Sequence, residues 1–97
     1  MIKWIVSFEV VPGKRQQYEK FMEEKGYPFW ASFSEVKSIE VFSSFRGQPN
    51  EMHFTIDDLA SLDRITQHPS FGPLFSESGD FFQNTSRGII MLRKKIK

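Results

Sequence analysis

The sequence predicts an α+β domain whose elements run β-α-β-β-α-β. Three observations carry that prediction. Three stretches alternate apolar and polar residues with the period of a strand, and a fourth is a short apolar run near the C-terminus. Two intervening stretches repeat apolar residues at helical spacing. Pro, Gly and Asp stand at the joins, where the chain must turn or a helix must start.

The first strand is predicted over Ile2–Val11, with Ile2, Trp4, Val6, Phe8 and Val10 on one face and Lys3, Ile5, Ser7, Glu9 and Val11 on the other. Pro12-Gly13 ends it, because proline removes a backbone donor and glycine permits a tight turn. Lys14–Lys25 reads as a helix with Tyr18, Phe21 and Met22 on its apolar stripe, and Gly26 is placed to cap its C-terminus. Pro28 can open a further helical turn carrying Phe29, Trp30 and Phe33. Glu35–Phe45 alternates again, and Arg46–Asn50 is a connection short enough to join antiparallel neighbours. In the third strand, Glu51–Ile56, the residues Met52, Phe54 and Ile56 oppose Glu51, His53 and Thr55. Asp57 or Asp58 caps the next helix, whose expected buried stripe is Leu59, Leu62 and Ile65. His68-Pro69 stops that helix, Phe71, Leu74 and Phe75 resume helical spacing, and Gly79 ends it. The last strand is predicted over Arg87–Ile96.

This order is the ferredoxin-like split arrangement: a four-stranded antiparallel sheet with two helices on one face, residues 1–97 forming a single domain. The first and third strands are then central, and Trp4, Val6, Phe8, Met52, Phe54 and Ile56 meet the helices. The opposite sheet face is mixed, too apolar in places to stand wholly in water. A domain of 97 residues buries a modest core, and the absence of cysteine removes disulfides as a supplement. A second copy covering the mixed face is the expected supplement, so a homodimer is predicted. Lack of cysteine also fits a reducing cytoplasm. The 13 basic and 12 acidic residues nearly cancel, so neither nucleic acid nor a membrane surface is an expected partner. The basic cluster at Arg93–Lys97 is read as a solvated strand end. No apolar run is long enough to span a bilayer.

The segments IVSFEVVPGKRQQYEKFMEE (5–24) and IDDLASLDRITQHPSFGPLF (56–75), separated by a hairpin, resemble the dimeric α/β-barrel superfamily of antibiotic-biosynthesis-monooxygenase-like and NIPSNAP-like domains. The resemblance is one of layout over nearly the whole chain. It implies a homodimer whose two sheets face each other in a barrel, and a pocket between each sheet and its helices. Cofactor-independent monooxygenases of this superfamily hold flat aromatic substrates in such a pocket, where the substrate's own carbanion reacts with oxygen. The haem-degrading branch uses a second-helix histidine with a first-strand asparagine and a third-strand tryptophan. Here the first strand has no asparagine and Ile56 stands at the third-strand position, which disfavours haem. A regulatory ligand-binding domain of the ACT type shares the element order and remains an alternative. The third strand lacks the aromatic and glycine pattern of an RNA-recognition motif.

Two histidines are the candidate catalytic residues. His53 lies mid-strand on the mixed face, near Ser7, Glu9 and Thr55 in the expected register, where a carboxylate neighbour would make it a general acid/base. The competing account is a hydrogen-bonded cluster inside a dimer barrel. His68 sits at a helix end, where an imidazole interacts favourably with the dipole. Asp57 and Asp58 are read as a cap in preference to a carboxylate pair. No metal ligand spacing, phosphate loop or nucleophile motif occurs, and neither a metal nor a cofactor is expected. Aromatic residues make up 15% of the chain, enough for both a core and a pocket wall. Trp4, Trp30, Phe33, Phe54, Phe71 and Phe75 are the candidate ligand-binding residues. The expected function is binding of a small apolar or aromatic molecule, with a monooxygenase-like enzyme and a non-catalytic assembly or regulatory domain as alternatives.

Overall fold

A computed structural model describes all 97 residues. The strands are β1 (Ile2–Val10), β2 (Val36–Phe42), β3 (Asn50–Ile56) and β4 (Phe82–Met91). They form one antiparallel sheet in the order β2-β3-β1-β4, the ferredoxin-like arrangement. The period-two pattern of β1 and β3 appears directly in their burial. Ile2, Trp4, Phe8, Met52, Phe54 and Ile56 are buried, and they share one core with Tyr18, Phe21, Met22, Trp30, Leu62 and Ile65 from the helices. The helices therefore cover a single face of the sheet.

The first helical layer is longer than the expected Lys14–Lys25, and Gly26 does not cap it. Helix α1 (Arg15–Phe21) passes through a π-helical turn at Met22–Gly26 into α2 (Tyr27–Ala31) without a break. A glycine cap of that kind uses a left-handed backbone, and Gly26 has φ −65°, in the right-handed helical region. Left-handed glycines occur instead in the turns at Gly13 and Gly47. Proline at position 28 has no N–H to return to the preceding turn, and the widened turn lies immediately before it.

The second layer consists of α3 (Leu59–Thr66) and α4 (Phe71–Ser78). Asp58 is the cap of α3, its carboxylate accepting from the Ser61 N–H at 2.7 Å. Leu62 and Ile65 are buried as expected, but Leu59 is 51% exposed and Ser61 takes the third buried position. At 100° per residue, Ser61, Leu62 and Ile65 share one side and Leu59 lies roughly a third of a turn away. Helix α4 has no fully buried residue.

Two strand irregularities also depart from simple alternation. The β2–β3 register shifts between Val36 and Ser38, so Val36 and Ile39 both pair with buried residues, Ile56 and Phe54. Strand β4 starts and ends five residues before the expected Arg87–Ile96. Its limits follow from pairing with β1, which runs from Ile2 opposite Met91 to Val10 opposite Phe82. Beyond Met91 there is no strand left to bond. Between Ser7 and Glu9 the register shifts where Asn84 takes a φ of +50°, a left-handed conformation that asparagine tolerates better than most residues. Its amide donates to Glu9 Oε1 at 2.6 Å. No helix is long and apolar enough to cross a membrane.

The Ser61 N–H holds the Asp58 carboxyl below the ordinary carboxylate range, with the Ser61 side chain and Arg64 assisting. A depressed folded value means that the carboxylate's contribution is complete above the unfolded value and is lost as the pH falls through the folded one. Asp58→Ala should therefore lower the urea midpoint at pH 7. The gap to wild type should narrow as the pH falls below about 4 and close in stronger acid. A gap that stays constant with pH would show that the cap acts without its charge.

Candidate functional site

An aromatic cavity of about 240 Å³ lies between the sheet and the helices. Its floor comes from Trp4 and Val6 of β1, Met52 and Phe54 of β3, and Phe82, Thr85 and Arg87 of β4. Its walls are Phe21, Met22, Gly26 and Trp30 on one side and Phe71, Leu74, Phe75, Ser78 and Gly79 on the other. A cavity of about 150 Å³ accepts benzene, so this one has room for a larger ring system.

The back wall is a closely packed aromatic cluster. Ring centroids lie 4.9 Å apart for Trp4–Trp30, 5.5 Å for Trp4–Phe54 and 4.6 Å for Trp30–Phe54. These spacings are within the range of favourable ring contact, and all three side chains are buried. The α4 side is looser: Phe71 and Phe75 stack at 5.7 Å, and Phe75 is 41% exposed. Lys25 of the π-turn and Glu77 of α4 join the two walls with N–O distances of 3.0 and 3.1 Å. That pair is solvent-exposed and contributes little stability of its own.

The π-turn shapes the wall. A Cβ at Gly26 would come within 2.6 Å of Met22 Cε and 2.7 Å of its sulfur, so the absence of a side chain there lets Met22 fold back against the turn. The β4 bulge shapes the floor. Phe82 pairs with Val10 on the helix side, and one residue has been inserted by the time Arg87 pairs with Val6. Without that insertion Thr85 and Arg87 would face away from the helices. The polar side chains lining the cavity are Ser78, Thr85 and Arg87, and no carboxylate or histidine is among them.

The expected site residues thus fall in three places. Trp4, Trp30, Phe54, Phe71 and Phe75 line the cavity. Phe33 lies past the end of α2 and packs against Phe29 and His68, with centroids 5.2 and 5.6 Å away. The ring of His68 also meets Phe29 at 5.8 Å, and its Nδ1 accepts from the Ser70 N–H at 3.1 Å. His53 is on the opposite face of the sheet. Its Nε2 is 2.8 Å from Glu51 Oε1, its ring is 4.6 Å from that of Phe42, and its Nδ1 is buried without a partner. Its carboxylate neighbour is Glu51, while Glu9 is engaged by Asn84 and Gln83. The histidines do not meet, and no three of His, Cys, Asp or Glu are grouped as metal ligands.

A second cavity, of about 310 Å³, opens on the other side of α1, between Tyr18, Tyr27 and the Val41–Ser43 end of β2. Burial raises both phenols above the ordinary tyrosine value, and proximity to Tyr27 adds to the effect at Tyr18. They stay neutral at physiological pH.

Sequence reasoning missed Arg87, Thr85, Met22 and Gly26 as cavity-lining residues. Arg87 looked like the first residue of a strand because the polar run Gln83–Ser86 hides the true start of β4. A bulge or a π-turn leaves no periodic signal to find.

No family model matches the chain, and no curated protein matches it. Solved structures do share its fold. SnoaB, a cofactor-independent oxygenase from Streptomyces nogalater, is 14% identical, with 98% of this chain and 95% of that one covered and a TM-score of 0.83. An uncharacterised NIPSNAP domain protein from Burkholderia xenovorans is 11% identical, with 95% and 94% covered and a TM-score of 0.70. A dimeric protein of unknown function and ferredoxin-like fold from Bacteroides fragilis is 19% identical, with 94% and 95% covered and a TM-score of 0.69.

Gly26→Ala should force Met22 to move. The obstructing atoms are the flexible end of Met22, which borders the cavity and can shift into it, so the cost should largely offset the helix propensity gained and chemical denaturation should change by less than about 1 kcal/mol. A larger gain from Gly26→Ala in a Met22→Ala background than in wild type would identify Met22 as the obstructing group. Chain by chain, the fold is the ferredoxin-like α+β fold shared by SnoaB and the NIPSNAP domain protein.

Proposed function

We propose that this protein binds a small, flat, apolar molecule in the cavity between its sheet and helices. The observation that carries the reading is the pair of tryptophans. Both tryptophans of the chain, with Phe54, Phe71 and Phe75, border an open space instead of filling it. An apolar cleft with a few polar groups at one side is the usual form of a small-molecule site. Trp4, Trp30, Phe54, Phe71 and Phe75 are the proposed contacts. Phe33 and His68 act at a distance, by packing at the end of α2.

The same reading includes a homodimer formed through the outer sheet face. Ile90 and Phe42 are about half exposed there, and the buried Nδ1 of His53 has no partner within the chain. The Bacteroides fragilis protein of like fold is described as dimeric. His53 is then an interface residue, and a reducing cytoplasm is the proposed setting for a chain without cysteine.

A second reading, reaction of the bound molecule with dioxygen, has the likeness to SnoaB as its support. Oxygen uptake with 1,4-dihydroxynaphthalene that exceeds the protein-free rate would favour it. Uptake no faster than in buffer leaves binding alone.

The neutral dye N-phenyl-1-naphthylamine tests the binding reading, because tryptophans beside it will transfer energy to it. Sensitised emission should saturate with added dye, and Val6→Phe, which fills the floor, should weaken binding by about tenfold or more. Absence of sensitised emission in a folded protein would reject the pocket as a binding site. In sedimentation at micromolar concentration the protein should run as a dimer. His53→Leu should weaken that dimer by about three- to tenfold while leaving dye affinity unchanged. A wild-type monomer would remove the dimer from the reading.

A further inference from the structure

We infer that the molecule bound in this cavity is an anion, an aromatic carboxylate whose ring packs against the wall formed by the two tryptophans and whose charge meets Arg87. The inference rests on the binding reading above and names the chemical class of its ligand.

Arg87 is the single charged side chain bordering the cavity. It belongs to none of the chain's ion pairs, which join Lys3–Glu40, Arg15–Glu19, Lys25–Glu77, Lys37–Asp57, Arg64–Glu35 and His53–Glu51. The nearest acidic side chain of α4, Glu77, is held by Lys25. The guanidinium carbon lies 4.1 Å from the centroid of Phe75, so an aromatic face supports the cation without supplying an anion. The five N–H donors of arginine form a planar fork that matches a carboxylate in two parallel hydrogen bonds. Thr85, on the same side of β4 two residues earlier, places a hydroxyl on the same floor.

The local backbone is built to put this charge here. In unbroken alternation from Phe82, the side chains at 84, 86 and 88 would face the helices, and Arg87 would lie on the other face. The left-handed Asn84, tied to Glu9, inserts the one residue that reverses the phase. Arg87 and Thr85 are exposed, so the bulge sets a cation free of any carboxylate partner at the open rim of an apolar cleft, where the carboxylate of a bound ring can reach it.

The test uses displacement of N-phenyl-1-naphthylamine by 2-naphthoate and by its neutral isostere 2-naphthamide. The carboxylate should bind about tenfold or more tightly than the amide. Arg87→Gln should reduce that preference to within about threefold, and Arg87→Lys, which keeps the charge and loses the fork, should keep part of it. Equal affinity of the two ligands in wild type, or a preference unchanged in Arg87→Gln, would overturn the inference while dye binding upheld the pocket. If the dye fails to bind and calorimetry detects neither naphthalene, the pocket reading falls and takes this inference with it.

Discussion

The packing of Trp4, Trp30 and Phe54 governs the architecture. These three rings come from β1, α2 and β3, and their mutual spacings of 4.6–5.5 Å set how closely the helical layer approaches the sheet. Tryptophan and phenylalanine are wide, stiff side chains, and rings prefer tilted contact to face-to-face collapse. A layer held off by them closes fully only where other large side chains reach across. Toward β2 and α3 that happens, with Ile56 and Ile65 wholly buried. Toward α4 and β4 it does not, and the cavity is the remainder.

Three single-residue irregularities adjust this frame. The π-turn at Met22–Gly26 carries the first helical layer past Pro28 and swings Trp30 over the sheet. The register shift after Val36 brings both Val36 and Ile39 inward. The bulge at Asn84 turns Thr85 and Arg87 toward the helices. Two of the three border the cavity, as expected if irregular backbone persists where it positions side chains. The sheet's opposite face is organised differently, by the His53–Glu51 pair, the Phe42 ring and the Lys3–Glu40 pair. The sheet separates these groups from the cavity, and none of them lines it.

Much of the fold was legible in residue order. The alternation of β1 and β3 identified Trp4, Phe8, Met52, Phe54 and Ile56 as core, because side chains on a strand have only two directions to choose from. The helix start at Asp58 was legible because a carboxylate there answers an unpaired N–H. Leu59 was misread because one apolar residue in the first turn of a helix does not define which side faces inward. Gly26 was misread because a glycine after a helical stripe signals a cap only when the backbone turns left-handed. Five of six aromatic candidates border the cavity, but their composition alone is equally that of a filled core.

By itself the sequence determined the strand-and-helix order, the two faces of β1 and β3, and the lack of cysteine, all properties of local pattern and composition. The tertiary structure decided whether the aromatic residues leave a space and which charge meets it. Both depend on register, and register is a relation between distant strands: Arg87 faces the helices only because β4 pairs with β1 through an inserted residue at Asn84. A one-residue shift in pairing reverses every side chain beyond it, and no pattern within β4 records that shift.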